Sequence, residues 1–268
     1  MNLATFTERV LRRPLWPHQA EAAKSDRFIV TVAGGRRSGK TLAAQVKALH
    51  VAFTHRNARI LVVSPAIENS RNWIAELSEV IRGSRLAPDA VVDEQAQLVR
   101  LANGSVIRAL PATSAQVRGR GRGLRLLIVD EAAFVPESVW RDALYTLFDM
   151  RSAGSQALLT CSPWGPPTHF FRANFERGRD GDPDYASYQW SMKDNPTLSD
   201  DFIERQRERI APRRRLRRST ASGLTRRVPT CRARSLKRTP PPSRRRPLSA
   251  STGGRWAWPG PPGVSTGT

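Results

Sequence analysis

The sequence predicts an α/β fold with a mainly parallel central sheet flanked by helices, followed by a disordered basic tail, and three observations carry that prediction. The apolar run Phe28-Ile29-Val30-Thr31-Val32-Ala33 leads straight into Gly34-Gly35-Arg36-Arg37-Ser38-Gly39-Lys40-Thr41, and a helix-forming stretch, Thr41–Leu49, follows. A second apolar run, Leu126-Leu127-Ile128-Val129, ends in Asp130-Glu131. Strand-like and helix-like segments alternate along the first 210 residues, the order that places helices on both faces of a parallel sheet.

Element by element, a short N-terminal helix precedes the Phe28–Ala33 strand and the helix after the glycine loop. Arg59–Ser64 reads as a buried strand closed by Pro65, and residues 68–82 read as a helix. Gln97–Leu101 and Ser105–Leu110 form a hairpin, because Asn103-Gly104 between them is a strong two-residue turn signal. The acid-ended run is a strand buried on both faces, which shows as continuous rather than alternating hydrophobicity. A helix near 137–149, a strand Ala157–Ser162, a strand near 186–191 and a helix over 198–210 complete the series. There is no internal repeat.

The loop fits G-x-x-x-x-G-K-[ST], the Walker A pattern, at every fixed position, and lies in the strand–loop–helix context that the pattern requires. Glycines let successive backbone N–H groups turn toward phosphate oxygens. Gly34, Gly35, Arg36, Arg37, Ser38 and Gly39 would therefore cradle phosphates, with Lys40 reaching the outer ones and Thr41 offering its hydroxyl to Mg²⁺. The following helix points its positive end at the anion. The implied ligand is a nucleoside triphosphate.

Asp130-Glu131 fits the Walker B position, at the carboxyl end of a strand where ligands sit in open α/β sheets. Asp130 is assigned to the metal and Glu131 to polarising the attacking water. Strand-end acids are also favoured by a following helix N-terminus, but their pairing with a full phosphate loop favours the catalytic assignment. Three weaker features keep two or more readings each. Gln19, in Trp16-Pro17-His18-Gln19, reads an adenine edge or merely opens a helix after Pro17. Thr160 and Ser162 sense the γ-phosphate through the attacking water, or cap a strand end. Arg118-Gly119-Arg120-Gly121-Arg122-Gly123 tracks a DNA backbone, supplies an arginine to a neighbouring site, or is a solvated loop.

Charge divides the chain. Residues 1–210 hold 29 Lys and Arg against 23 Asp and Glu, whereas residues 211–268 hold 15 Lys and Arg and no acid. The tail also carries nine of the twenty prolines and no Ile, Phe, Tyr or Met, so it cannot bury enough apolar surface to offset ordering entropy. The net charge of +21 is thus mostly a property of the tail. Two cysteines, Cys161 and Cys231, and four scattered histidines give neither a disulfide framework nor a zinc pattern. No signal core and no run of about 20 apolar residues occurs, so a cytoplasmic protein without membrane contact is expected.

Gly34–Thr41 with its paired arginines, the run Asp130-Glu131-Ala132-Ala133-Phe134, and Thr160-Cys161-Ser162-Pro163 resemble the ATPase half of tailed-phage terminase large subunits. Leu15–Gln19 and Asp194-Asn195-Pro196 are similar to that family as well, and the likeness covers roughly residues 10–210. The resemblance implies a RecA-like ATPase using ATP and Mg²⁺ to drive double-stranded DNA into a procapsid. It also implies a homo-oligomeric ring on a portal protein, working with a small terminase subunit. It assigns Gln19 to adenine, Lys40 and Thr41 to phosphates and Mg²⁺, Asp130 to the metal, Glu131 to water, Arg36 or Arg37 (chiefly Arg37) to charge stabilisation, and Thr160 and Ser162 to coupling hydrolysis with movement.

One departure is large. Such proteins continue into a nuclease domain with metal-binding carboxylates, and no acid follows Glu208. No nuclease activity is expected from this chain. The abrupt change at Ala211 reads as out-of-frame or truncated coding sequence, or as a basic tail that binds DNA nonspecifically. The alternatives to a packaging motor are another nucleic-acid-stimulated ATPase of helicase type and a non-functional prophage remnant.

Overall fold

The computed structural model describes residues 1–113, 117, 123–148, 154–162 and 168–210. Most of the Arg118–Gly123 run, Pro163 and the whole of 211–268 lie outside them. The chain begins with a single turn, α1 (Leu3–Thr5), continued by a π turn over Phe6–Val10. Then come α2 (Pro17–Lys24), β1 (Ile29–Gly34), α3 (Lys40–Thr54), β2 (Arg59–Ser64), α4 (Ile67–Arg82), β3 (Ala90–Asp93), β4 (Leu98–Leu101) and β5 (Val106–Pro111). They are followed by β6 (Leu124–Asp130), α5 (Glu137–Phe148), β7 (Gln156–Cys161), α6 (Phe170–Arg179), β8 (Tyr185–Trp190) and α7 (Asp200–Ile210).

The eight strands form one sheet in the order β3-β4-β5-β2-β6-β7-β1-β8. From β5 to β8 every neighbouring pair is parallel, and β3 and β4 extend the edge antiparallel. Alternate residues of the central strands feed two cores. Val30, Val32, Ile60, Val62, Leu126 and Ile128 pack with α3 and α4. Leu61, Val63, Leu127, Val129, Ala157 and Leu159 pack with α5 and α6 on the other face. This two-sided burial is why β1 is apolar nearly throughout, and each large apolar side chain so buried contributes about 1.5–3 kcal/mol. Helix α4 buries Trp73, Ile74, Leu77, Val80 and Ile81, one stripe at helical spacing.

The expected order of elements is present, with differences that have local causes. The first strand is shifted one residue from the expected Phe28–Ala33: its ladder starts at Ile29, whose N–H donates to the Asp184 carbonyl at 3.0 Å, and it runs on to Gly34, which pairs with Trp190. The helix after the loop extends past the expected Leu49 to Thr54, because Ala52 is also buried in the core. The acid-ended strand begins earlier, at Leu124, and stops at Asp130; Glu131 leaves it with a left-handed backbone. Two elements were not expected, β3 and α6. Among the described residues no helix is long and apolar enough to cross a membrane.

Candidate phosphate-binding site

Strand order brings the motifs together. Strands β6, β7, β1 and β8 are consecutive neighbours, so the loop after β1, the acids at the end of β6 and the hydroxyls at the end of β7 meet at one carboxyl edge of the sheet. Asp130 is in register with Thr160, and Ala33 with Cys161. A cavity of about 970 Å³ opens there. Arg36, Arg37, Gly39, Lys40 and Thr41 line one side, and Glu131 and Ser162 the other. Sequence reading missed four further wall residues: Leu42, Pro65, Asn69 and the half-exposed Phe134. Pro65 and Asn69 arrive from the end of β2 and the first turn of α4, positions that carry no motif.

The loop is held tightly. Gly39, at φ 82°, occupies the N-cap of α3, where glycine is favoured, and a Cβ there would stand 2.0 Å from Gln19 Nε2 and displace that amide. Ser38 is fully buried, its hydroxyl donating to the Gly35 carbonyl at 2.8 Å. Lys40 Nζ donates to the carbonyls of Gly34 (2.9 Å) and Gly35 (3.1 Å). Burial draws the Lys40 pKa down, opposed by the charges of Glu131 and Asp130.

Asp130 accepts from the Thr160 hydroxyl at 2.5 Å and stands behind the cavity wall rather than in its lining. Burial pushes its pKa up to about 6, against the Thr160 hydrogen bond, with the Glu131 charge adding to the rise. A carboxylate so weakly compensated suits a cation, and hard oxygen donors such as Asp130 and Thr41 suit Mg²⁺. Among the described residues no group of three or more His, Cys, Asp or Glu could hold a metal by itself. Glu131 sits at φ 50°, ψ 46°, a conformation costly for a residue with a Cβ. Its Oε2 accepts from the Cys161 thiol at 3.4 Å, and burial raises that thiol's pKa to about 12.

Gln19 stands apart from the cavity lining. It is 1% exposed, its Oε1 accepts from the Trp16 N–H at 3.0 Å, and its Nε2 donates to the Gly39 carbonyl at 3.2 Å. His18 approaches the Ser38 carbonyl at 3.2 Å, a contact the sequence did not signal.

The fold and site define a RecA-like phosphate-loop domain with a strand-end acid pair. A family model described as terminase large subunit, T4likevirus-type, N-terminal, matches residues 32–224, and the chain belongs to that family. The match ends beyond Ala211. The large terminase subunit of Thermus phage G20c is 29% identical over 147 residues, which is 49% of this chain and 30% of that protein. The aligned stretch is thus less than a third of that relative's length. Among solved structures, the large terminase ATPase domain of Thermus phage P74-26 superposes with a TM-score of 0.62 at 23% identity, covering 78% of this chain and 91% of that one. The large terminase of a thermophilic bacteriophage, solved in complex with ADP, gives 0.59 at 18% identity, covering 72% and 49%. At these identities the two structures establish the fold.

Proposed function

We propose that this chain hydrolyses ATP as the motor part of a terminase large subunit and uses that energy to package double-stranded DNA. The observation that carries the reading is the shared cavity, lined by the loop residues Lys40 and Thr41 on one side and by Glu131 and Ser162 on the other. The ADP bound by the thermophilic phage relative and the family membership support it.

In this reading the loop backbone and Lys40 hold the phosphates, and Arg37 faces the transferring phosphoryl group with Arg36 beside it. Thr41 and Asp130 would hold Mg²⁺, which, when bound, supplies positive charge to the phosphates. Glu131 accepts the proton of the attacking water. Thr160, bonded to Asp130, and Ser162, in the cavity wall, transmit the change in occupancy to β7. Gln19 fixes the loop through Gly39, and the family likeness assigns it to the adenine. A small terminase subunit, a portal protein, a ring of copies and the host cytoplasm are the partners and setting that the family implies.

The test is ATP hydrolysis with and without double-stranded DNA. Glu131→Gln should lower turnover by about 10²–10⁴-fold while sparing ATP binding. Lys40→Ala should weaken binding roughly 10- to 100-fold. DNA-stimulated turnover that Glu131→Gln abolishes supports the reading; parent-rate hydrolysis in both variants sinks the site assignment.

A further inference from the structure

Arg37 has a left-handed backbone, φ 63°, without being glycine. Such a conformation costs roughly 1–2 kcal/mol and persists only where the surroundings hold it. The segment after β8 does so twice. Asn195 Nδ2 donates to the Arg37 carbonyl at 2.6 Å, and the Arg37 guanidinium carbon lies 5.0 Å from the centre of the Phe202 ring. Asn195 is 6% exposed, and its other end is committed, with Oδ1 accepting from the Thr197 N–H at 2.9 Å and the Thr197 hydroxyl at 2.7 Å. The amide is therefore oriented with its NH₂ toward Arg37. The same segment continues from Trp190, whose carbonyl accepts the Gly35 N–H at 3.1 Å. His18 and Gln19 address the neighbouring carbonyls of Ser38 and Gly39, and Ser38 closes the Gly35–Ser38 turn onto the Gly35 carbonyl, so among the described residues the hydrogen bond and ring contact that reach Arg37 itself from outside the loop come from this segment.

We propose that Asn195 is a positioning residue for phosphoryl transfer that acts through Arg37. It fixes the Arg37 backbone in the left-handed conformation that directs the guanidinium along the cavity wall, and Phe202 limits the swing of that side chain. Asn195 itself lines no part of the cavity. The proposal rests on the ATP-hydrolysis reading above. Because the contact places a charge rather than a binding surface, its loss acts on kcat more than on KM.

Asn195→Asp tests it. The carboxylate keeps both Thr197 contacts but sets an acceptor against the Arg37 carbonyl. Asn195→Ala removes the donor without adding charge. We expect both to lower kcat roughly 10- to 100-fold with KM changed less than about threefold. In an Arg37→Ala background the same substitutions should change kcat less than about twofold, the non-additivity of residues acting as a unit. Limited trypsin digestion, which needs no turnover, should cut faster after Arg36 and Arg37, both exposed, in the Asn195 variants. A parent-like kcat in Asn195→Asp, or equal losses with and without Arg37, overturns the proposal. If the parent chain fails to hydrolyse ATP, the functional reading falls; unchanged trypsin cleavage then overturns the Asn195 link, and faster cleavage upholds it.

Discussion

At the carboxyl end of α3, Asn103 Nδ2 donates to the carbonyls of Ala52 (2.8 Å), Phe53 (3.3 Å) and His55 (3.5 Å). Ser105 donates to the His55 carbonyl at 2.7 Å and accepts the Ala58 N–H at 3.0 Å. At the amino end of the same helix no side chain caps the turn, and no acid stands in it. The side chains that reach that end, His18, Gln19, Lys40 and Asn195, all take carbonyls of the loop. Every helix leaves unpaired N–H groups at one end and C=O groups at the other. Here the protein satisfies its own carbonyl end with a hairpin turn and, in the proposed reading, keeps its positive end for an anion. A helix end that protein side chains satisfy serves stability, and one held open serves binding.

The middle of α3 gives the largest effect that sharpens this contrast. Lys47 is 4% exposed, and its Nζ donates to the carbonyls of Ala23 (3.1 Å) and Ser25 (2.8 Å). Burial lowers its pKa from 10.5 to about 8, opposed by Asp26. The unfolded chain holds this proton more tightly than the folded one. The penalty, about 3 kcal/mol, is therefore full below pH 8 and is relieved as pH rises from 8 toward 10.5. Urea unfolding at pH 7.5 and pH 10 should show the parent gaining about 2 kcal/mol relative to Lys47→Met over that interval. Parallel pH curves for the two proteins would mean that the ammonium is solvated, not buried.

Gly104, in the hairpin turn that plugs the carboxyl end, gives the next effect. Its φ is 85°, and an added Cβ would stand 2.1 Å from Asn57 Oδ1. Gly104→Ala should cost about 2 kcal/mol and lower Tm by about 4–8 °C, while ATP turnover at 25 °C stays at the parent rate. A proportional loss of turnover would show that the two helix ends are coupled and would break the contrast.

Sequence made the central sheet legible because its strands are buried on both faces. Arg59–Ser64 was placed to the residue by an unbroken apolar run. The Asn103-Gly104 pair located the hairpin. Strand β3 escaped because it is four residues long with alternate residues exposed, Val91 at 68%, and it is a strand only through its pairing with β4. Helix α6 escaped because its buried face is small, Phe170, Phe171 and Asn174, and because Gly178 interrupts it where the backbone passes close to Ser187. The phosphate loop and the acid pair were readable as motifs. The hold of Asn195 on Arg37 spans 158 residues and uses a backbone carbonyl, so no pattern of side-chain types could announce it. The left-handed backbone of Glu131 is equally silent, since nothing in the side-chain identity calls for it.

That backbone gives the smallest and most discriminating effect. Among the described residues, two of the five non-glycine residues with positive φ, Arg37 and Glu131, line the cavity. At the carboxyl end of α3 the same conformation falls to Asn57 and Gly104, residue types that adopt it readily. In the proposed reading, strain at the site thus lies on side chains assigned to chemistry, and strain at the plug on residues suited to it. Glu131→Gly should therefore raise stability by about 1 kcal/mol or less, because the relief of strain slightly exceeds the added freedom of the unfolded chain. The same variant should lose turnover as Glu131→Gln does. Urea unfolding of the two variants side by side decides the matter. If Glu131→Gly is less stable than Glu131→Gln, the Glu131 side chain, with its contact to Cys161, anchors the turn, and the left-handed backbone is not a cost borne for catalysis.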